Sequence, residues 1–154
     1  ASTGDASDFG DISSGAVTEP TGSISNSTRA LRAGGNTTSN YQDHIDYFAI
    51  ATTGNSSDFG DLAAGQMQGL GGLENETRGV FGGGRTGGST YTDVIQYVTV
   101  ASTGDTSDFG DLGTFRSSSD NIDYITIAST GNATIQAGDL NVGALSRNSA
   151  LSGT

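Results

Sequence analysis

The chain contains no cysteine and no tryptophan, and it has a single proline, a single methionine and a single histidine. Without cysteine there is no disulfide framework, no thiol nucleophile and no thiolate metal site. Every one of its basic residues is arginine; lysine is absent. Six arginines against seventeen acidic residues give a formal net charge of -11. Such a charge repels nucleic acid and leaves no basic patch for anionic lipid. No apolar run approaches the roughly 18 residues of a membrane-spanning helix, so membrane insertion is not expected. The opening residues Ala1-Ser2-Thr3-Gly4 do not read as a signal peptide, which leaves a chain without an export signal or one shown after its removal.

What fills the sequence is small and polar. Glycine supplies 25 of 154 residues, while hydrophobic residues make up 32% and charged residues 15%. That charge density is too low for a typical disordered tail. Gly, Asn and Asp reach turn conformations easily, whereas Gly costs about 1 kcal/mol relative to Ala inside a helix. The composition predicts an all-β chain of short strands and many turns.

Internal repetition is the strongest signal. Ala1-Ser-Thr-Gly-Asp-Ala-Ser-Asp-Phe-Gly-Asp-Ile12 returns as Ala51-Thr-Thr-Gly-Asn-Ser-Ser-Asp-Phe-Gly-Asp-Leu62 and as Ala101-Ser-Thr-Gly-Asp-Thr-Ser-Asp-Phe-Gly-Asp-Leu112. A degraded copy starts at Ala128 and reaches Gly138-Asp139-Leu140. Gly4, Gly54, Gly104 and Gly131 are therefore 50, 50 and 27 residues apart. Later copies follow apolar runs, Ile45–Ile50, Ile95–Val100 and Ile122–Ile127, made of good strand formers. Both faces of each run are largely apolar, as in a strand with neighbours on each side. A second block also recurs, Thr28-Arg-Ala-Leu-Arg-Ala-Gly-Gly35 matching Thr77-Arg-Gly-Val-Phe-Gly-Gly-Gly84. Units of 1–50, 51–100, a short 101–127 and a partial 128–154 follow, as one repeat domain.

The order Gly83-Gly84, Tyr97, the Thr103-Gly104-Asp105 turn, Phe109 and Arg116 resembles a kelch-type β-propeller blade, with Phe near the place of the usual Trp. The Tyr-x-Thr-Ile-Ala-Ser-Thr-Gly-Asn and Thr-Arg-Gly-Val-Phe-Gly-Gly-Gly strings also resemble repeats in large structural proteins of tailed phages, including marine cyanophages. The resemblance implies kelch-like blades or an open β-repeat array, three units plus a fragment, in a virion or an extracellular assembly. Closed propellers use about four to eight blades. The termini fall inside units, so missing strands are expected from a longer protein, from pairing of the two ends, or from a neighbouring subunit, the last being preferred because open sheet edges must be covered.

Several residues invite a chemical reading. Asp5, Asp8 and Asp11, then Asp58 and Asp61 beside Asn55, then Asp105, Asp108 and Asp111 place oxygen ligands at short intervals around glycine. They could hold Ca²⁺, although capping of their own turns ranks ahead of it and no other cofactor is indicated. Phe9, Phe59 and Phe109 are expected as buried anchors, one per unit. Asp-Phe-Gly also occurs in protein kinases, but here it lacks a phosphate loop, a lysine and the His-Arg-Asp motif. His44 reads as a strand-edge residue, with Val94 in the equivalent place. Arg29 and Arg78 recur and are expected to pair with an Asp of the adjacent unit. The Asn-x-Ser/Thr sequons at Asn26, Asn36, Asn55, Asn75 and Asn132 are expected by accident in so polar a chain.

The resulting expectation is not an enzyme, because nearly every acid recurs and a catalytic pair would be unique in the array. A structural or decorating subunit of a virion or extracellular fibre, self-associating or bound to neighbouring subunits, is expected first. The alternative is a receptor- or glycan-binding tail-fibre module, with Glu19-Pro20-Thr21-Gly22 and Gln66-Met67-Gln68-Gly69 as binding loops.

Overall fold

A computed structural model of the chain describes residues 4–15, 17, 21–38, 40–87, 90–113 and 121–139. Its strands begin with β1 (Gly22–Ser25), β2 (Arg29–Ala33), β3 (His44–Ala49) and β4 (Ser57–Asp61). They continue with β5 (Met67–Gln68), β6 (Gly71–Glu74), β7 (Arg78–Gly82), β8 (Arg85–Thr86) and β9 (Thr90–Tyr91). β10 (Val94–Thr99), β11 (Ser107–Asp111), β12 (Asn121–Tyr124) and β13 (Thr134–Asp139) complete the order. Among the described residues there is no α-helix, and no helix is long and apolar enough to cross a membrane. The fold is all-β.

Two four-stranded antiparallel sheets, β1-β2-β3-β4 and β6-β7-β10-β11, carry the same meander, and β12-β13 repeats its last two strands. The recurring apolar runs become β3, β10 and β12, and the arginine blocks become β2 and β7. The Ser-Asp-Phe-Gly-Asp segment is a strand, β4 and β11, rather than the turn its acids and glycine suggest. Each sheet therefore closes on the first part of the next sequence copy. The hairpins joining β1 to β2 and β6 to β7 are set by Asn26 and Asn75. Each Oδ1 accepts the N–H groups of the residues two and three further on, at 2.7–3.0 Å, an Asx turn.

The sheets pack one against the next in chain order. Ile24, Leu31, Ile45 and Phe59 of the first sheet share a core with Phe81 and Val98 of the second. Val80, Ile95 and Phe109 of the second sheet form another core with Ile125 and Ile127. Close packing is possible because small residues stand where the sheets meet: a Cβ on Gly22 would lie 2.9 Å from the Phe81 ring. The small sheet β5-β8-β9 lies in the connections. There Gly35 donates its N–H to the Met67 carbonyl at 2.7 Å and Met67 donates to Gln42 at 2.9 Å, so Met67 bridges the first unit and the second.

Candidate functional site

The recurring residues converge on the junctions between units. At the first junction Gly54 donates its N–H to the Phe9 carbonyl at 2.7 Å and Ser56 donates to Asp11 at 2.9 Å. At the second, Gly104 donates to Phe59 at 2.7 Å and Thr106 to Asp61 at 2.9 Å. At the third, Gly131 donates to Phe109 at 2.6 Å and Ala133 to Asp111 at 2.7 Å. The Asx residue of each turn completes the clasp from the side chain. Asn55 Oδ1 accepts from Asp11 N–H at 3.0 Å, Asp105 Oδ1 from Asp61 N–H at 3.0 Å, and Asn132 Oδ1 from Asp111 N–H at 3.1 Å. Only an acceptor oxygen is used, which explains why Asn and Asp alternate at this position. These side chains cap a strand of the neighbouring unit, not their own turn.

A second device spans the same junctions. The Arg29 guanidinium lies 4.6 Å from the Tyr47 ring centroid and donates from Nη1 to the Val100 carbonyl at 2.9 Å. Arg78 repeats it, 4.4 Å over Tyr97 and 2.9 Å from the Ile127 carbonyl. The expected Asp partner is replaced by a carbonyl, because the end of the next unit's apolar strand faces the guanidinium. Each tyrosine also meets the phenylalanine of its own sheet edge-on, Tyr47 with Phe59 at 6.0 Å and Tyr97 with Phe109 at 6.1 Å. Phe59 and Phe109 are buried as expected, whereas Phe9 is 41% exposed. Phe9 contacts Phe48 at 6.2 Å but has no such tyrosine among the described residues.

A third device was not expected from the sequence. The polar residue between Ile and Tyr in each apolar strand is Asp46, Gln96 or Asp123, and each accepts from the segment before it. Asp46 accepts from Ser13 Oγ at 3.0 Å, from Ser14 Oγ, and from Arg32 Nη2 at 2.6 Å. Gln96 accepts from Ala64 N–H at 2.9 Å and Thr106 Oγ1 at 2.7 Å; Asp123 accepts from Gly113 N–H at 3.3 Å. Asp46 and Gln96 are buried at 2% and 1% exposure. Burial alone would push the Asp46 carboxyl up, but the hydrogen bonds from Ser14, Arg32 and Ser13 and the Arg32 charge hold it below its ordinary value. The available signal was a polar residue recurring between two apolar ones.

Of the eight acids singled out as cation ligands, Asp5, Asp8, Asp11, Asp58, Asp61, Asp105 and Asp108 are exposed and Asp111 is half-buried. Among the described residues, ligand atoms of three acid or histidine side chains converge at Asp43, His44 and Asp61, all within 4.8 Å of one another. Asp61 alone of the eight belongs to that group. His44 opens β3 directly opposite Asp61 on β4, with Nδ1 and Oδ1 3.0 Å apart. In the candidate binding loop at 66–69, Met67 and Gln68 are buried at 0% and 4% exposure, while Gln66 and Gly69 are exposed; residues 18–20 lie outside the described residues. No protein-family model matches the chain, and no curated protein matches it.

Proposed function

We propose that the chain is a structural repeat protein, a building or decorating subunit of an extended assembly such as a virion surface or an extracellular fibre. The observation that carries this reading is the fate of the recurring residues. Gly10 and Gly54, Asn55, Asp105, Arg29 and Arg78 all serve to join one unit to the next. Recurrence spent on junctions is what a quasi-linear array needs, since each repeat is stabilised by its neighbours. Kelch-like blades and an open array both fit a stack of antiparallel meanders, and the phage-type repeats that the sequence resembles point to a virion.

Phe9 supports assembly between chains. Its ring is 41% exposed, and an apolar group of that size is stabilised when a neighbouring copy covers it. The burial of Met67 and Gln68 takes those two side chains out of a receptor- or glycan-binding face. Negative-stain imaging of the purified chain and of the native particle tests the reading. Filaments, a lattice or labelled virion surfaces are expected; isolated globules that bind a glycan would replace it with the binding-module reading.

A further inference from the structure

We propose that Asp43, His44 and Asp61 form a binding site for a divalent transition-metal ion of the Zn²⁺ class, built where the start of β3 meets the end of β4. The three side chains bring one imidazole nitrogen and two carboxylates within 4.8 Å of each other, close enough for small side-chain rotations to place all three on one ion. Imidazole suits Zn²⁺, Cu²⁺, Fe²⁺ and Ni²⁺, and carboxylates complete such sets. Ca²⁺ takes six to eight oxygen ligands, which a site holding an imidazole and two carboxylates does not offer. Three protein ligands leave a position for water, as in zinc sites that are not closed. The chain's net charge of -11 raises the local concentration of cations.

The backbone fixes the ligands on two sides. His44 and Asp61 are cross-strand partners. The Asp43 carbonyl accepts from Leu62 N–H at 2.8 Å, and the His44 carbonyl accepts from Gly34 N–H at 3.0 Å. Neither strand end is free to drift.

The next unit supplies an internal control. Val94 and Asp111 are cross-strand partners there, Leu112 donates to the Asp93 carbonyl at 2.7 Å, and Gly83 donates to the Val94 carbonyl at 3.0 Å. The frame and both carboxylate positions are the same, and only the imidazole is missing. His44, the one histidine of the chain, is therefore the departure from the repeat that creates a mixed nitrogen–oxygen donor set.

The test uses the full chain without a histidine tag, titrated with Zn²⁺ by calorimetry while the His44 ring protons are followed by NMR. Wild type should bind one equivalent with a shift of the His44 resonances. His44→Val, which copies the second unit, should melt like wild type and bind more than about tenfold more weakly. Val94→His should gain a second equivalent, and this arm stands even if His44→Val folds poorly. Ca²⁺ at the same concentration should leave the ring protons unmoved. Absence of saturable Zn²⁺ binding, or equal binding by wild type and His44→Val, would overturn the proposal.

Discussion

Gly60 faces Gly104 across the second junction so closely that a methyl group on Gly60 would overlap the Gly104 carbonyl and stand 2.8 Å from the Asp105 nitrogen. Gly10 over Gly54 and Gly110 over Gly131 repeat the arrangement. The atoms in the way are backbone, which cannot swing aside. Gly60 also sits at φ +149, where an L side chain is strained. Gly60→Ala is expected to cost about 3 kcal/mol or more, the sum of strain and a clash that parts the clasp. Gly69→Ala, at φ +70 with open space around it, should cost only about 1 kcal/mol. Paired urea melts decide this, and equal losses would show that the glycine contact does not join the units.

Arg78 bonds a carbonyl and a ring rather than a carboxylate. Arg78→Met should therefore lower stability by about 1–2 kcal/mol, from one lost hydrogen bond and one cation–π contact. Added salt should change that loss little, whereas an arginine–aspartate pair would be screened. Denaturant melts of both chains at low and high salt distinguish the two.

The Asp46 carboxyl titrates below its ordinary value of 3.8 in the folded chain. A depressed folded pKa means that the ionised network stabilises the fold above pH 3.8 and that this contribution disappears as pH falls through the lower folded value. Asp46→Asn leaves Arg32 buried without its countercharge, a loss of about 3 kcal/mol at neutral pH. The gap between wild type and Asp46→Asn should be constant in the neutral range and narrow on acidification below pH 3.8. A gap that stays constant down to complete acid unfolding would contradict the assignment.

The second unit has Phe81 and Gln96 in the places of Arg32 and Asp46, each pair in cross-strand register. Arg32→Phe with Asp46→Gln transplants that solution, and an apolar or neutral replacement of a buried ion pair is often close to neutral or stabilising. The double variant should thus recover most of the stability lost by Asp46→Asn, measured in the same melts.

The sequence makes the apolar strands β3, β10 and β12 and the arginine strands β2 and β7 legible, because strand formers cluster there and the copies reinforce one another. β4 and β11 are hidden by Asp and Gly, which disfavour strands locally; only pairing with β3 and β10 on one side and a neighbouring turn on the other makes them strands. β1 and β6, Gly22–Ser25 and Gly71–Glu74, are too short and glycine-rich to stand out. The candidate metal ligands and the clasps join residues 17 to 45 positions apart. Spacing along the chain shows that Asn55 and Asp105 recur, but not that their oxygens reach Asp11 and Asp61. Burial of Asp46 is likewise invisible until Ser13, Ser14 and Arg32 are brought around it.

Phe9 offers the most direct test of the structural reading. Sedimentation equilibrium of wild type and Phe9→Asp over a range of concentrations reads whether the exposed ring joins one copy to another. Self-association of wild type, abolished in Phe9→Asp without a lower melting temperature, is the predicted result. A wild-type chain that stays a compact monomer at every concentration would contradict the account.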